Sequence, residues 1–128
     1  MISALVVFLG GGLGAVLRYF LGIVATRLVG VNFPWGTLFI NITGSLAMGL
    51  IVAWLAFSEP VTGGKALRLF LTTGILGGYT TFSTFSLDAF SLWERGEVGA
   101  AAGYVAASLI ISLAAVAAGA FFGRWVWH

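Results

Sequence analysis

The chain has 128 residues, 60% of them hydrophobic and only 8% charged, with a mean hydropathy of +1.09, which excludes an ordinary water-soluble domain. Cysteine is absent, and with it disulfides, thiolate metal sites and thiol nucleophiles. The formal charge of +2 comes from basic residues scattered along the chain without a patch, so nucleic acid is not an expected partner.

About twenty apolar residues cross the roughly 30 Å hydrocarbon core of a bilayer, and the chain carries several such stretches with little between them. The reading is an all-α integral membrane protein, multi-pass in the cell membrane. It is a single transmembrane domain over residues 1–128 with four helices at about 2–29, 37–57, 67–93 and 98–126. The first stretch starts directly after Met1 without a basic leader, and comparable stretches follow, so it reads as a retained helix rather than a cleaved signal. Asn32-Phe33-Pro34-Trp35-Gly36, Ser58-Glu59-Pro60-Val61-Thr62-Gly63-Gly64 and Glu94-Arg95-Gly96-Glu97 are the predicted turns. Trp35, Trp93, Trp125 and Trp127 fall at segment ends, where an amphipathic ring suits the headgroup level. A soluble four-helix bundle would need a charged outer face, which no segment has.

In the first segment Gly10, Gly14, Arg18 and Gly22 recur every four residues, a stripe that predicts contact with protein rather than lipid. An arginine there needs carbonyls or a wet vestibule, as a functional group or as a structural cap. In the second, Thr37, Asn41 and Ser45 line up four apart, and the Asn41 amide is either glue between helices or the lining of a polar path. The third contains Gly74-Ile75-Leu76-Gly77-Gly78-Tyr79-Thr80-Thr81. This run predicts a break whose freed carbonyls can coordinate a cation, the alternative being a kink. Phe82-Ser83-Thr84-Phe85-Ser86 follows, with two rings three residues apart that either pack or turn their positive edges to an anion. In the fourth, Tyr104, Ser108 and Ser112 share a face, a track for an anion unless the serines bond back to their own helix.

With four spans, Lys65, Arg68 and Arg124 fall on one side and Arg27 and Arg95 on the other, a difference of one charge. So weak a bias leaves two readings open: insertion both ways, with head-to-tail pairing of two copies, or an orientation set by other factors.

These residues resemble the small dual-topology fluoride channels called Fluc or CrcB, over nearly the whole chain. The resemblance rests on Gly14-Ala15-Val16-Leu17-Arg18, on Gly36-Thr37-Leu38 with Asn41, and on the run from Gly74 to Phe85, in order and spacing. It implies a fluoride-selective passive channel, not an enzyme, exporting fluoride through two pores of an antiparallel homodimer whose third helix is broken. It further implies that Phe82 and Phe85 narrow each pore and that Asn41 is the pore-lining amide. Tyr104, Ser108 and Ser112 would form a polar track, Thr81, Ser83 and Thr84 would accompany the rings, and Arg18 would serve a vestibule. Gly77 and Thr80 match positions whose carbonyls, from both subunits, hold a structural sodium ion, Na+, at the dimer interface. Where the family often has Glu after its phenylalanine motif, this chain has Asp88.

Three other classes compete. A small dual-topology multidrug or cation exporter needs a carboxylate within the membrane, whereas Glu59, Asp88, Glu94 and Glu97 read as lying in turns or near a span end. A membrane assembly subunit without transport would use the polar stripes as glue. An enzyme is disfavoured because the sole histidine is His128 and no nucleophile–base pair is apparent.

Overall fold

The computed structural model describes residues 1–58 and 64–128. Glu59 and Gly63 of the predicted middle turn lie outside them. Helix α1 spans Ile2–Val29, α2 Trp35–Phe57 and α6 Val98–Trp127, and among the described residues these three are long and apolar enough to cross a membrane. Between α2 and α6 come α3 (Gly64–Leu69), a π-helical stretch (Phe70–Leu76), α4 (Gly77–Tyr79) and α5 (Phe82–Glu94). Large apolar side chains are exposed all round, Phe8 and Phe121 among them, which suits lipid and not water.

Close approach of backbones sets the packing. Helices α2 and α6 pair along much of their length, and they touch at Gly49 and Gly119. A Cβ on Gly49 would strike the Val116 carbonyl oxygen and lie 2.8 Å from Ala120 N. On its other side, α1 packs along the π-helical stretch and α4. Here a Cβ on Gly14 would strike the Ile75 carbonyl oxygen, so Gly10 and Gly14 are buried against protein. Gly22, farther along the same predicted stripe, faces open space within this chain. The segment that covers Gly10 and Gly14 ends at α4, and the start of α2 comes near Gly22 instead, a Cβ on Gly36 lying 3.8 Å from Gly22 Cα.

The expectation that the glycine run leaves the helix is corrected in detail. Gly77 keeps helical angles (φ −63°, ψ −37°), and the described glycines with positive φ are Gly30 and Gly96, which follow α1 and α5. The regular path ends after Tyr79, where Thr80 (φ −80°, ψ 156°) and Thr81 (φ −150°, ψ 115°) are extended. Gly74 and Gly78 serve contact instead: a Cβ on Gly78 would strike the carbonyl oxygen of Gly11, and one on Gly74 would lie 3.0 Å from Gly10 Cα. Just before them, the π-helical stretch widens the ladder, a device that recurs beside functional sites.

Trp35 opens α2 rather than preceding it, since Pro34 takes the N-cap position and its carbonyl accepts Leu38 N at 3.2 Å. Arg95 Nη2 donates to Asn32 O and to Glu97 Oε2, each at 2.9 Å, and so ties the α1–α2 turn to the α5–α6 turn. Both charged partners are half exposed, so this pair adds little stability. The buried core has two parts, one around Leu38, Phe85, Leu92 and Tyr104, the other around Ile40, Leu76 and Tyr79.

Candidate functional site

The site begins with the main-chain groups that the extended pair Thr80–Thr81 removes from the helical ladder. Thr80 gives both its N–H (3.0 Å) and its hydroxyl (2.9 Å) to Leu76 O. Thr81 N–H, which an unbroken helix would give to Gly77 O, goes to Asn41 Oδ1 at 2.9 Å, and Asn41 Nδ2 donates to Thr81 O at 3.1 Å. Thr84 N–H, the regular donor to Thr80 O, goes to the Thr81 hydroxyl oxygen at 3.2 Å, making Thr81 the N-cap of α5. Arg18 Nε donates to Gly78 O at 3.1 Å. Side chains from α1 and α2 thus take up groups that would be costly to leave bare away from water.

Beside this junction lies a groove of about 370 Å³, lined by Asn41, Ser45, Thr80, Thr81, the Phe82 and Phe85 rings, Ser108 and Ser112. The two rings differ in setting. Phe85 is buried and Phe82 is 75% exposed, with centroids 5.4 Å apart. Ser108 and Ser112 carry buried hydroxyl oxygens with no hydrogen-bond partner among the described residues. The contrast within the chain is plain, because Thr26, Thr43, Ser58, Thr72 and Ser86 each bond back to the carbonyl four residues earlier.

A second cavity of about 410 Å³ is lined by Arg18, Thr37, Thr81 and Thr84, and a third of about 240 Å³ by Thr37 and Asp88. Thr81 is common to the first two and Thr37 to the last two, so the stripe Thr37–Asn41–Ser45 on α2 runs past all three. Among the described residues the one salt bridge is Arg95 to Glu97, and no carboxylate neutralises Arg18. Ser83 is exposed, with its oxygen 3.3 Å from the Thr81 hydroxyl.

Not every predicted residue joins the groove. Tyr104 is fully buried between Phe33 and Phe85 (centroids 5.5 and 5.3 Å), and its hydroxyl donates to Asp88 Oδ2 at 3.3 Å. Asp88 lies within α5, half-buried. This pairing was readable: Asp88 stands eight residues before Gly96 and Tyr104 eight after it, facing positions in a tight antiparallel hairpin. Gly77 is exposed and Thr80 half-buried, away from the serines of α6 in sequence but joined to the groove through Thr80. Sequence reasoning missed the Thr43 hydroxyl against Tyr79 OH at 2.8 Å.

The family model described as CrcB-like protein, Camphor Resistance (CrcB), matches residues 5–120. The chain belongs to the CrcB family. Relatives named fluoride-specific ion channel FluC include one from Agrobacterium fabrum, 52% identical over 97% of this chain and 98% of its own length. Another, from Methylobacterium nodulans, is 58% identical over 92% and 93%, and one from Rhodopseudomonas palustris is 56% identical over 90% and 91%. As a CrcB protein with three membrane-capable helices, this is a multi-pass protein of the cell membrane.

Proposed function

We infer that this CrcB protein is a passive, fluoride-selective channel that lets fluoride leave the cell. The observation that carries the reading is the pair of buried, unpartnered hydroxyls of Ser108 and Ser112 in a groove that also holds Asn41 and two phenylalanine rings. Fluoride is small and strongly hydrated, so a path for it must replace water with donors and ring edges without holding the ion too tightly. The names of the relatives point to the same ion. Asn41, Thr81, Ser83, Thr84, Phe82, Phe85, Ser108 and Ser112 are the proposed path, with Arg18 at its vestibule and Tyr104 behind Phe85. Conduction, not catalysis, is the activity, and the unpartnered serines argue against a subunit whose polar stripes are only glue.

The architecture we attach to it has four crossings. The third is supplied by the elements from Gly64 to Glu94, which together exceed the twenty or so residues a crossing needs, interrupted at Thr80–Thr81. Two copies pair antiparallel, giving two pores; the one-charge bias and the exposed Phe82 at an open groove support this. A sodium ion between the copies suits the main-chain oxygens of Gly77 and Thr80, which have lost their regular helical donors to Asn41 and Thr81. Two neutral oxygens from one chain are too few for a hard cation, so the second copy completes the set. The residues would hold the ion as a structural bridge outside the anion's path.

The test is fluoride and chloride efflux from liposomes carrying the purified protein, without a proton gradient. Fast fluoride with negligible chloride efflux is expected. Equal rates, or fluoride movement only with a proton gradient, would overturn the reading.

A further inference from the structure

We propose that Asn41 is a positioning residue: its carboxamide holds the main chain of Thr81 at both ends and thereby sets the start, and so the aim, of the helix that carries Phe82 and Phe85. An extended residue in a sheet can exchange two hydrogen bonds with one opposed residue. Here one side chain does the same, Oδ1 accepting Thr81 N–H at 2.9 Å and Nδ2 donating to Thr81 O at 3.1 Å.

Three features make the clamp consequential. Thr81 needs an extended backbone to act as N-cap, and in that conformation its hydroxyl oxygen accepts Thr84 N–H at 3.2 Å while its O–H donates to Thr84 Oγ1 at 3.1 Å. The next residue is Phe82, three-quarters exposed, whose direction is fixed by where α5 begins rather than by burial. Finally, α2 lies hard against the interruption, since a Cβ on Gly44 would strike Thr80 Cγ2 and come within 3.1 Å of the Tyr79 ring. The accounting also limits what Asn41 offers an ion: with one N–H committed to Thr81, a single N–H remains for the groove.

The clamp itself rests on geometry, while its effect on flux rests on the channel reading, and one experiment separates them. Amide hydrogen exchange at Thr81 is followed in isotope-labelled protein in lipid nanodiscs without fluoride, beside fluoride efflux from liposomes. N41A, which removes both bonds, is expected to speed Thr81 exchange about tenfold or more and to cut flux by a similar factor. N41D keeps the acceptor for Thr81 N–H but turns a second oxygen toward Thr81 O, so Thr81 exchange should fall between the native chain and N41A while flux falls. Replacing the Thr81 N–H by a backbone ester leaves Asn41 intact and should lower flux as N41A does; this chain carries the test should N41A fail to fold. Native exchange at Thr81 in N41A, or native flux in the ester chain, overturns the proposal. Absence of fluoride flux in the native protein would instead overturn the channel reading and leave the exchange result to decide the clamp.

Discussion

Ser108→Ala separates a hydroxyl kept for stability from one kept for an ion. A typical buried hydroxyl that loses its partner, or never has one, costs about 1–3 kcal/mol. Ser108 Oγ has no partner among the described residues, so its removal should leave stability unchanged or raise it by up to ~2 kcal/mol, less where water in the groove meets the native hydroxyl. For the ion the sign is reversed. A hydrogen bond to a charged group contributes ~1.5–3 kcal/mol, and losing it at the barrier slows passage about ten- to a hundredfold. Thr43→Val is the matched control. It strips the partner from the buried Tyr79 hydroxyl, 2.8 Å away, and Thr43 lines none of the three cavities of the site. That variant should lose about 1–3 kcal/mol and keep the native ratio of fluoride to chloride flux. Thermal unfolding in one detergent and efflux read by a fluoride electrode cover both quantities. A Ser108→Ala protein that is less stable by ~1 kcal/mol or more with native flux refutes the argument, because the hydroxyl would then be structural.

The two rings should part company in the same pair of assays. Phe85→Ile removes a buried ring and should cost ~1–3 kcal/mol as well as flux, whereas Phe82→Ile should cost flux alone; native flux in both assigns the rings to packing. Gly49→Ala places a Cβ against the Val116 carbonyl oxygen and should destabilise the α2–α6 pair by ~1–3 kcal/mol, read as a lower unfolding temperature; no change would mean the helices separate freely. Exchange of sodium for a large organic cation should weaken the dimer on long equilibration, measured by cross-linking yield, and an unchanged yield removes the proposed cation bridge. Two lysines added near Gly63 should force one orientation and abolish activity until a copy biased the other way is co-expressed; full activity of the biased copy alone means the antiparallel pair is unnecessary.

What the sequence disclosed depended on whether a signal was local. Helices α1, α2 and α6 are unbroken apolar runs, and such runs are legible without any partner. The glycines between Gly74 and Gly78 were not, because glycine serves two ends that look alike in sequence: access to unusual φ, and a missing Cβ. At Gly74 and Gly78 it is the second, against Gly10 and Gly11, and the departure from helix falls to two threonines whose hydroxyls bond the main chain. Asn41 was visible as a costly amide, yet its partner lies forty residues away and no periodicity names it. Tyr104 shares the face of Ser108 and Ser112, but its ring is long enough to carry the hydroxyl past the groove to Asp88.

Charge placement explains why such a groove would pass an anion without trapping it. Among the described residues no carboxylate lines the 370 Å³ groove, and Asp88 sits in a separate cavity with the Tyr104 hydroxyl upon it. Among the described residues the full charge that lines the second cavity is Arg18, whose Nε is committed to Gly78 O, so it is held in place there. On the proposed channel reading, a unit charge about 4 Å from an anion at an effective dielectric near 20 would attract it by ~4 kcal/mol, which would draw the ion toward the junction at Thr81. Beyond that junction the lining is neutral. Each hydroxyl or ring edge there offers a fraction of what water supplied, and several in series keep any single site shallow. Asn41→Asp would put a negative charge at this handover and cost the ion a similar ~4 kcal/mol. Neutral clamping and neutral lining are thus one requirement, met by a carboxamide that holds Thr81 without bringing charge to the path.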